Sequence, residues 1–146
     1  MMRRAWAATG LVVVLLAACA PAEEVPSEEA VADLLDAAFV ERSEPAELCE
    51  LGTTELACRE SLAHAPPAPE EAPTLECSDE FDAPDGFVDG RLLRVTGEAR
   101  DGSSYDATLL AITTAEGPRF VDPVYWSAHG ISVTDVAPSE GVDLRC

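Results

Sequence analysis

Ala65-Pro66-Pro67-Ala68-Pro69-Glu70-Glu71-Ala72-Pro73 is the stretch at which the chain changes character. Four prolines in nine residues forbid a helix and favour a stiff, extended connector. Upstream of it the apolar residues recur with a period near 3.6, downstream with a period of 2. Val31, Leu34, Leu35, Ala38 and Phe39 fall at i, i+3, i+4, i+7 and i+8, which predicts an amphipathic helix running to about Arg42. Ser27 offers a hydroxyl cap, and Glu28 and Glu29 suit the positive end of the helix dipole. Pro45 opens a second, short helix carrying Leu48 and Leu51, which Gly52 closes. Thr53-Thr54-Glu55 opens a third, with Leu56, Arg59, Glu60 and Leu62, ending before Pro66.

Beyond the connector Leu75, Cys77, Asp79 and Phe81 alternate as a first strand. Asp85-Gly86 and Asp89-Gly90 are turn signals. Leu93, Val95, Gly97 and Ala99 predict one face of a second strand, and Asp101-Gly102 a hairpin turn. A third strand is expected from about Tyr105 to Thr113, a turn at Glu116-Gly117, and a fourth strand from Arg119 to Trp126, placed near an edge by Pro123. Ile131 to Val136 is the candidate for a short fifth. Helices followed by hairpin-linked strands mean an α+β fold, with the N-terminal helices packed on one face of a curved antiparallel β-meander.

The two ends of the chain carry different information. Arg3-Arg4 precedes the apolar run Leu11-Val12-Val13-Val14-Leu15-Leu16, the pattern of a signal peptide. The apolar core is shorter than the ~20 residues a membrane span needs. It ends in Leu16-Ala17-Ala18-Cys19, which resembles the lipobox of bacterial lipoprotein signal peptides. The resemblance covers the first 19 residues. It implies cleavage between Ala18 and Cys19, a diacylglyceryl group on the Cys19 thiol, and a membrane partner reached through that lipid. One acyl chain holds a protein marginally, at roughly 0.8 kcal/mol per buried methylene, whereas two or three hold it durably. The alternatives are an uncleaved helix from Ala5 to Ala22 and a plain secretory signal. On this reading residues 1–18 are signal peptide, 19–26 a lipidated tether and 27–146 one α+β domain, made of a helical part at 27–65, the connector at 66–73 and the meander at 74–146. The expected location is the cell envelope, facing away from the cytoplasm.

Setting Cys19 aside leaves Cys49, Cys58, Cys77 and Cys146, an even number in an exported chain, which favours disulfides. Three connectivities exist. Cys49–Cys58, flanking a short turn, with Cys77–Cys146, tying the last residue to the first strand, is the preferred one. No C-x-x-C or histidine cluster occurs, so no metal site is expected.

All 28 acidic residues follow the signal, together with seven of the nine arginines, so the mature formal charge is −21. Such a surface repels phosphates and excludes nucleic acid as a partner. The densest acidic group, Asp79, Glu80, Asp82, Asp85 and Asp89, fails the EF-hand spacing and reads as a solvated loop. Arg91, Arg94, Arg100 and Arg119 are the positive charges of the meander and are expected to balance the acidic helices.

The element order across residues 28–127 resembles the NTF2-like (cystatin-like) cone domains, although the proline-rich connector and the acidic segment before the sheet depart from their usual layout. The resemblance implies a sheet bent around a pocket, for which Tyr105, Tyr125, Trp126 and His129 are the candidate lining. Core packing is the competing role for the three aromatics. No catalytic residue and no cofactor is indicated. The expected role is a non-catalytic binding or accessory module for an envelope protein or a small ligand. The alternatives are an NTF2-like enzyme using acid–base chemistry and an acidic decoy of a basic protein.

Overall fold

Ser27 caps the first helix as its position suggests: its hydroxyl accepts from the Ala30 amide at 3.1 Å. In the computed structural model, which describes residues 24–83 and 87–127, that helix is α1 (Glu28–Val40) and continues as a 3-10 turn over Glu41–Ser43. It buries Val31, Leu34, Leu35 and Ala38. Each large apolar side chain of that stripe contributes roughly 1.5–3 kcal/mol by leaving water. Helix α2 (Pro45–Glu50) buries Leu48 and Cys49, with Pro45 in its first turn. Helix α3 (Glu55–His64) buries only Cys58. Leu56 of α3 is 71 % exposed. A disulfide between Cys49 and Cys58, with Cα atoms 5.5 Å apart, clips α3 to α2.

Four antiparallel strands follow in the order β1-β2-β3-β4: β1 (Thr74–Phe81), β2 (Gly90–Glu98), β3 (Ser104–Thr114) and β4 (Gly117–Phe120). The fold is α+β, helices first and an open meander after. Gly102 and Gly117 take the positive φ values of 84° and 109° that the two hairpin turns demand. Asp101 supports the first turn by accepting from the Ser103 amide at 3.0 Å.

A register shift between Leu75 and Cys77 splits the face that alternation assigned to β1. Leu75 lies opposite Val95, on the helix side, whereas Cys77, opposite Arg94, lies on the other side. The helix side carries Leu93, Val95, Ala107, Leu109, Ala111 and Phe120, which join α1, Leu48, Tyr105, Tyr125 and Trp126 in one core. Phe81, Leu92 and Leu110 form a smaller cluster on the opposite face.

The expected fourth strand is cut short. β4 ends at Phe120, and Val121 to Ser127 coils against the helices. Pro123 cannot donate to a ladder, and the Asp122 carboxylate takes the Val124 amide at 3.0 Å, so a turn replaces the strand. The edge of β4 is covered by the α2–α3 loop: Thr53 donates to Phe120 O at 2.8 Å and Phe120 to Leu51 O at 2.9 Å. Gly52 allows that approach, since a Cβ there would sit 3.0 Å from Pro123 Cδ. The leader with Cys19, the Asp85-Gly86 turn, His129, the fifth strand and Cys146 lie outside the described residues.

Arg91 joins the two layers. It lies on the helix side, 7 % exposed. Its Nε donates to Pro26 O at 2.7 Å and its Nη2 to Glu80 at 3.0 Å, while Nη1 lies 3.7 Å from Glu28. Arg91→Ala is expected to cost about 2–3 kcal/mol, since it removes a charge-assisted bond to a buried carbonyl together with the packing of the stem. Glu80→Gln, at an exposed partner, is expected to cost less than about 1 kcal/mol. Urea unfolding of the two variants, read by Trp fluorescence, checks the ratio.

Candidate functional site

The proline connector is a wall of the domain. Pro69 is fully buried. Three donors hold the connector's carbonyls: Trp126 Nε1 bonds Pro66 O at 3.0 Å, the Arg100 amide bonds Pro67 O at 3.4 Å, and Arg42 Nε bonds Pro69 O at 2.6 Å. Arg42 is itself fixed beneath α1, with its guanidinium 4.0 Å from the Phe39 ring centre and bonded to Phe39 O at 2.7 Å. An extended proline segment exposes its carbonyls and has no internal hydrogen bonds to lose, so indole and guanidinium donors clamp it readily.

Beside this strap runs a groove of about 330 Å³, bordered by Glu70, Glu71, Thr74, Glu98 and Arg100, with Gly97 in its wall. Arg100 Nε reaches Glu70 at 3.2 Å, which leaves Glu71 and Glu98 to dominate the charge of the groove. Such an opening suits a ligand or partner side chain carrying positive charge. Gly97 is required there, because a Cβ would run into the ring and hydroxyl of Tyr105, its cross-strand partner.

The aromatic candidates for a pocket are core instead. Tyr125 and Trp126 are fully enclosed and Tyr105 is 8 % exposed. The two tyrosine rings lie 5.8 Å apart and Tyr125 meets Trp126 edge-on at 4.9 Å. None of the three borders the groove. Burial raises the pKa of both phenols, and for Tyr125 the nearby Tyr105 adds to the rise. Among the described residues neither hydroxyl has a hydrogen-bond partner. At these three positions the cone implied by the NTF2-like resemblance is filled by side chains.

The structure disperses the acidic group. Glu80 pairs with Arg91, the Asp89 carboxylate takes the Ala83 amide at 2.8 Å, and Asp79 lies on the opposite face of β1 from Glu80. Among the described residues no three His, Cys, Asp or Glu side chains come together as a metal site. The meander arginines are spent mainly inside the domain. Arg94 holds Asp106 through two bonds of 2.9 and 2.7 Å, which keeps the Asp106 carboxyl below its ordinary range. Arg119 contacts Pro118 O at 3.4 Å. His64 ends α3 and borders a shallow hollow with Ala57, Glu60 and Ser61.

Asp122 carries no distinguishing mark in the sequence. It is nearly buried, accepts from the Ser61 hydroxyl, and so ties α3 to the segment after β4. No sequence pattern links residues 61 positions apart. The groove was equally hidden, since its wall reads as a spacer.

Compared with known proteins, the chain matches no family model, no curated protein and no solved structure.

Burial raises the Asp122 carboxyl above its ordinary value, and the bonds from Ser61 and Val124 offset part of the rise. Such a group holds its proton more tightly folded than unfolded. Its contribution to stability therefore falls as pH climbs from the ordinary carboxylate value through the raised one. Asp122→Asn, which can keep both hydrogen bonds, removes that loss. The stability difference in favour of the variant is expected to grow as pH rises above the ordinary carboxylate value of about 4. Urea unfolding at stepped pH checks it, and a difference independent of pH would count against the assignment. Gly97→Ala is expected to cost about 1–3 kcal/mol by overpacking against Tyr105, measurable in the same assay.

Proposed function

We propose that the chain is an exported lipoprotein, cut before Cys19 and lipidated there, whose domain is a non-catalytic binding module of the cell envelope. The observation that carries export is the cysteine chemistry. Cys49 is bonded to Cys58, and Cys77 is also disulfide-bonded. Structural disulfides of this kind persist in oxidising compartments. With Cys146 as the partner of Cys77, Cys19 is the one thiol left for a lipid. Among the described residues no helix is long and apolar enough to cross a membrane.

The binding role rests on the groove beside the connector. Its excess carboxylates, Glu71 and Glu98, on a chain of mature charge −21, favour a basic partner. That is the chemistry of the decoy reading, and it predicts weakening with salt as surface charges are screened. The acid–base enzyme reading has no comparable support, because the aromatic positions offered as its pocket are occupied by core packing.

Three measurements test the lipid anchor and a fourth the groove. Mass spectrometry of the mature N-terminal peptide from a bacterial host is expected to show a thioether-linked diacylglyceryl group on Cys19, and Cys19→Ser to release the protein from the membrane fraction. Non-reducing peptide mapping is expected to recover Cys77 with Cys146. A Cys77–Cys19 bond would overturn the lipid anchor outright. For the groove, an arginine-rich probe peptide is expected to bind wild type and to lose roughly tenfold in affinity between low salt and 0.5 M salt or in the Glu71→Gln/Glu98→Gln variant. Binding unmoved by either change would remove the basic-partner reading.

A further inference from the structure

The segment between the lipidation site and the first helix is held at its domain end. Thr113 Oγ1, at the end of β3, bonds Glu24 O. Pro26 is buried, and its carbonyl is held at 2.7 Å by the buried guanidinium of Arg91. The held part of the chain therefore reaches back at least to Glu24, and the tether expected over 19–26 is shortened at its domain end. Five peptide steps separate Cys19 from Glu24, a reach of at most roughly 18 Å. The point of attachment is equally defined. It lies where β2 begins and β3 ends, since Gly90 pairs with Ile112 and Thr113 follows. The β2–β3 turn at Asp101-Gly102, which borders the groove through Glu98 and Arg100, lies at the other end of the nine-residue β2. That strand spans roughly 30 Å.

We propose that the end of the domain around Glu24, Thr113 and the β3–β4 turn faces the bilayer headgroups at short range, and that the groove is presented outward, away from the membrane. This rests on the lipid anchor proposed above. The short covalent reach from Cys19 to Glu24 fixes which end stays near the lipid. The acidic surface opposes lying flat, because anionic headgroups repel a chain of charge −21. Together they select an upright pose, and a partner meets the groove from outside.

The test uses the full, lipidated protein in vesicles of phosphatidylcholine and phosphatidylglycerol containing headgroup-spin-labelled lipid. A fluorophore is attached through a genetically encoded azide residue at Glu116, in the β3–β4 turn, or at Asp101, in the β2–β3 turn. Short-range quenching is expected to be at least about threefold stronger at 116 than at 101, given a separation close to the length of β2. A flexible Gly-Ser insertion of about 20 residues between Ala20 and Pro21 is expected to bring the two values together, because the tether then outreaches the domain. Equal quenching in the uninserted, lipidated protein overturns the pose and leaves the anchor standing. So does a threefold difference that survives the insertion, since tether length would then not be its cause. Protein that carries no lipid on Cys19 and does not associate with the vesicles overturns the anchor and the pose together.

Discussion

A buried guanidinium at Arg91 holds the chain's first described residues, its first helix and the outer edge of its sheet in one place. Its position on β2 faces the helices, where every second residue further along, Leu93 and Val95, is fully buried. A charge among such neighbours persists only if its donors find acceptors. Pro26 supplies a carbonyl, and Glu80 and Glu28 supply carboxylates. Arginine suits the site because its planar fork reaches several acceptors from one rigid plane, which a lysine could not do. The carboxylates stay in water, so the interaction avoids much of the desolvation cost of a fully buried pair. It fixes where α1 begins and thereby where the apolar stripe from Val31 to Ala38 meets the sheet.

The same economy recurs at the other end of the core. Arg42 and Trp126 each bury a large apolar body and use the polar tip to hold a connector carbonyl. The connector closes the core over Tyr105, Tyr125 and Trp126, and its exposed side leaves Glu70 and Glu71 lining a groove. The groove and the closure of the core are two faces of one packing arrangement. A change that frees the strap would lose both.

How far the sequence revealed this depends on the range of the interactions. The Ser27 cap, the stripe of α1, the first turn of α2 and the glycines at 102 and 117 are local, and they were legible. Alternation failed at Leu75–Cys77, because a bulge is a property of a strand pair and not of a strand. It overran at β4, because the Asp122 carboxylate and Pro123 redirect the chain there, and the Ser61 partner of that carboxylate is remote. The four prolines correctly signalled an extended segment, but extension does not say whether a segment is solvated or packed. That depends on Arg42 and Trp126, 27 and 60 residues away. The candidate site was therefore the least legible part. The residues that fill the core were the conspicuous aromatics, and those that border the groove were unremarkable glutamates.

Helix α3 shows what the acidic composition demands of such a domain. It buries one side chain, Cys58, and carries Glu55 and Glu60, with Arg59 paired to Glu55. Exposed pairs of that kind contribute a few tenths of a kcal/mol. A helix of ten residues with so little buried surface is not stable alone in water. Two tethers hold it, the Cys49–Cys58 bond and the contact of Ser61 with Asp122. The disulfide closes a short loop and contributes roughly 3 kcal/mol in the chain-entropy picture, more than the helix gains from burial. Ionisation of Asp122 strengthens the bond from Ser61 but leaves a charge in a buried site, so the net stability of this region falls as pH rises, whereas the covalent tether does not depend on pH. In an oxidising compartment the covalent tether therefore lets α3 stay polar and acidic on its outer face, while its inner face still covers the end of the core.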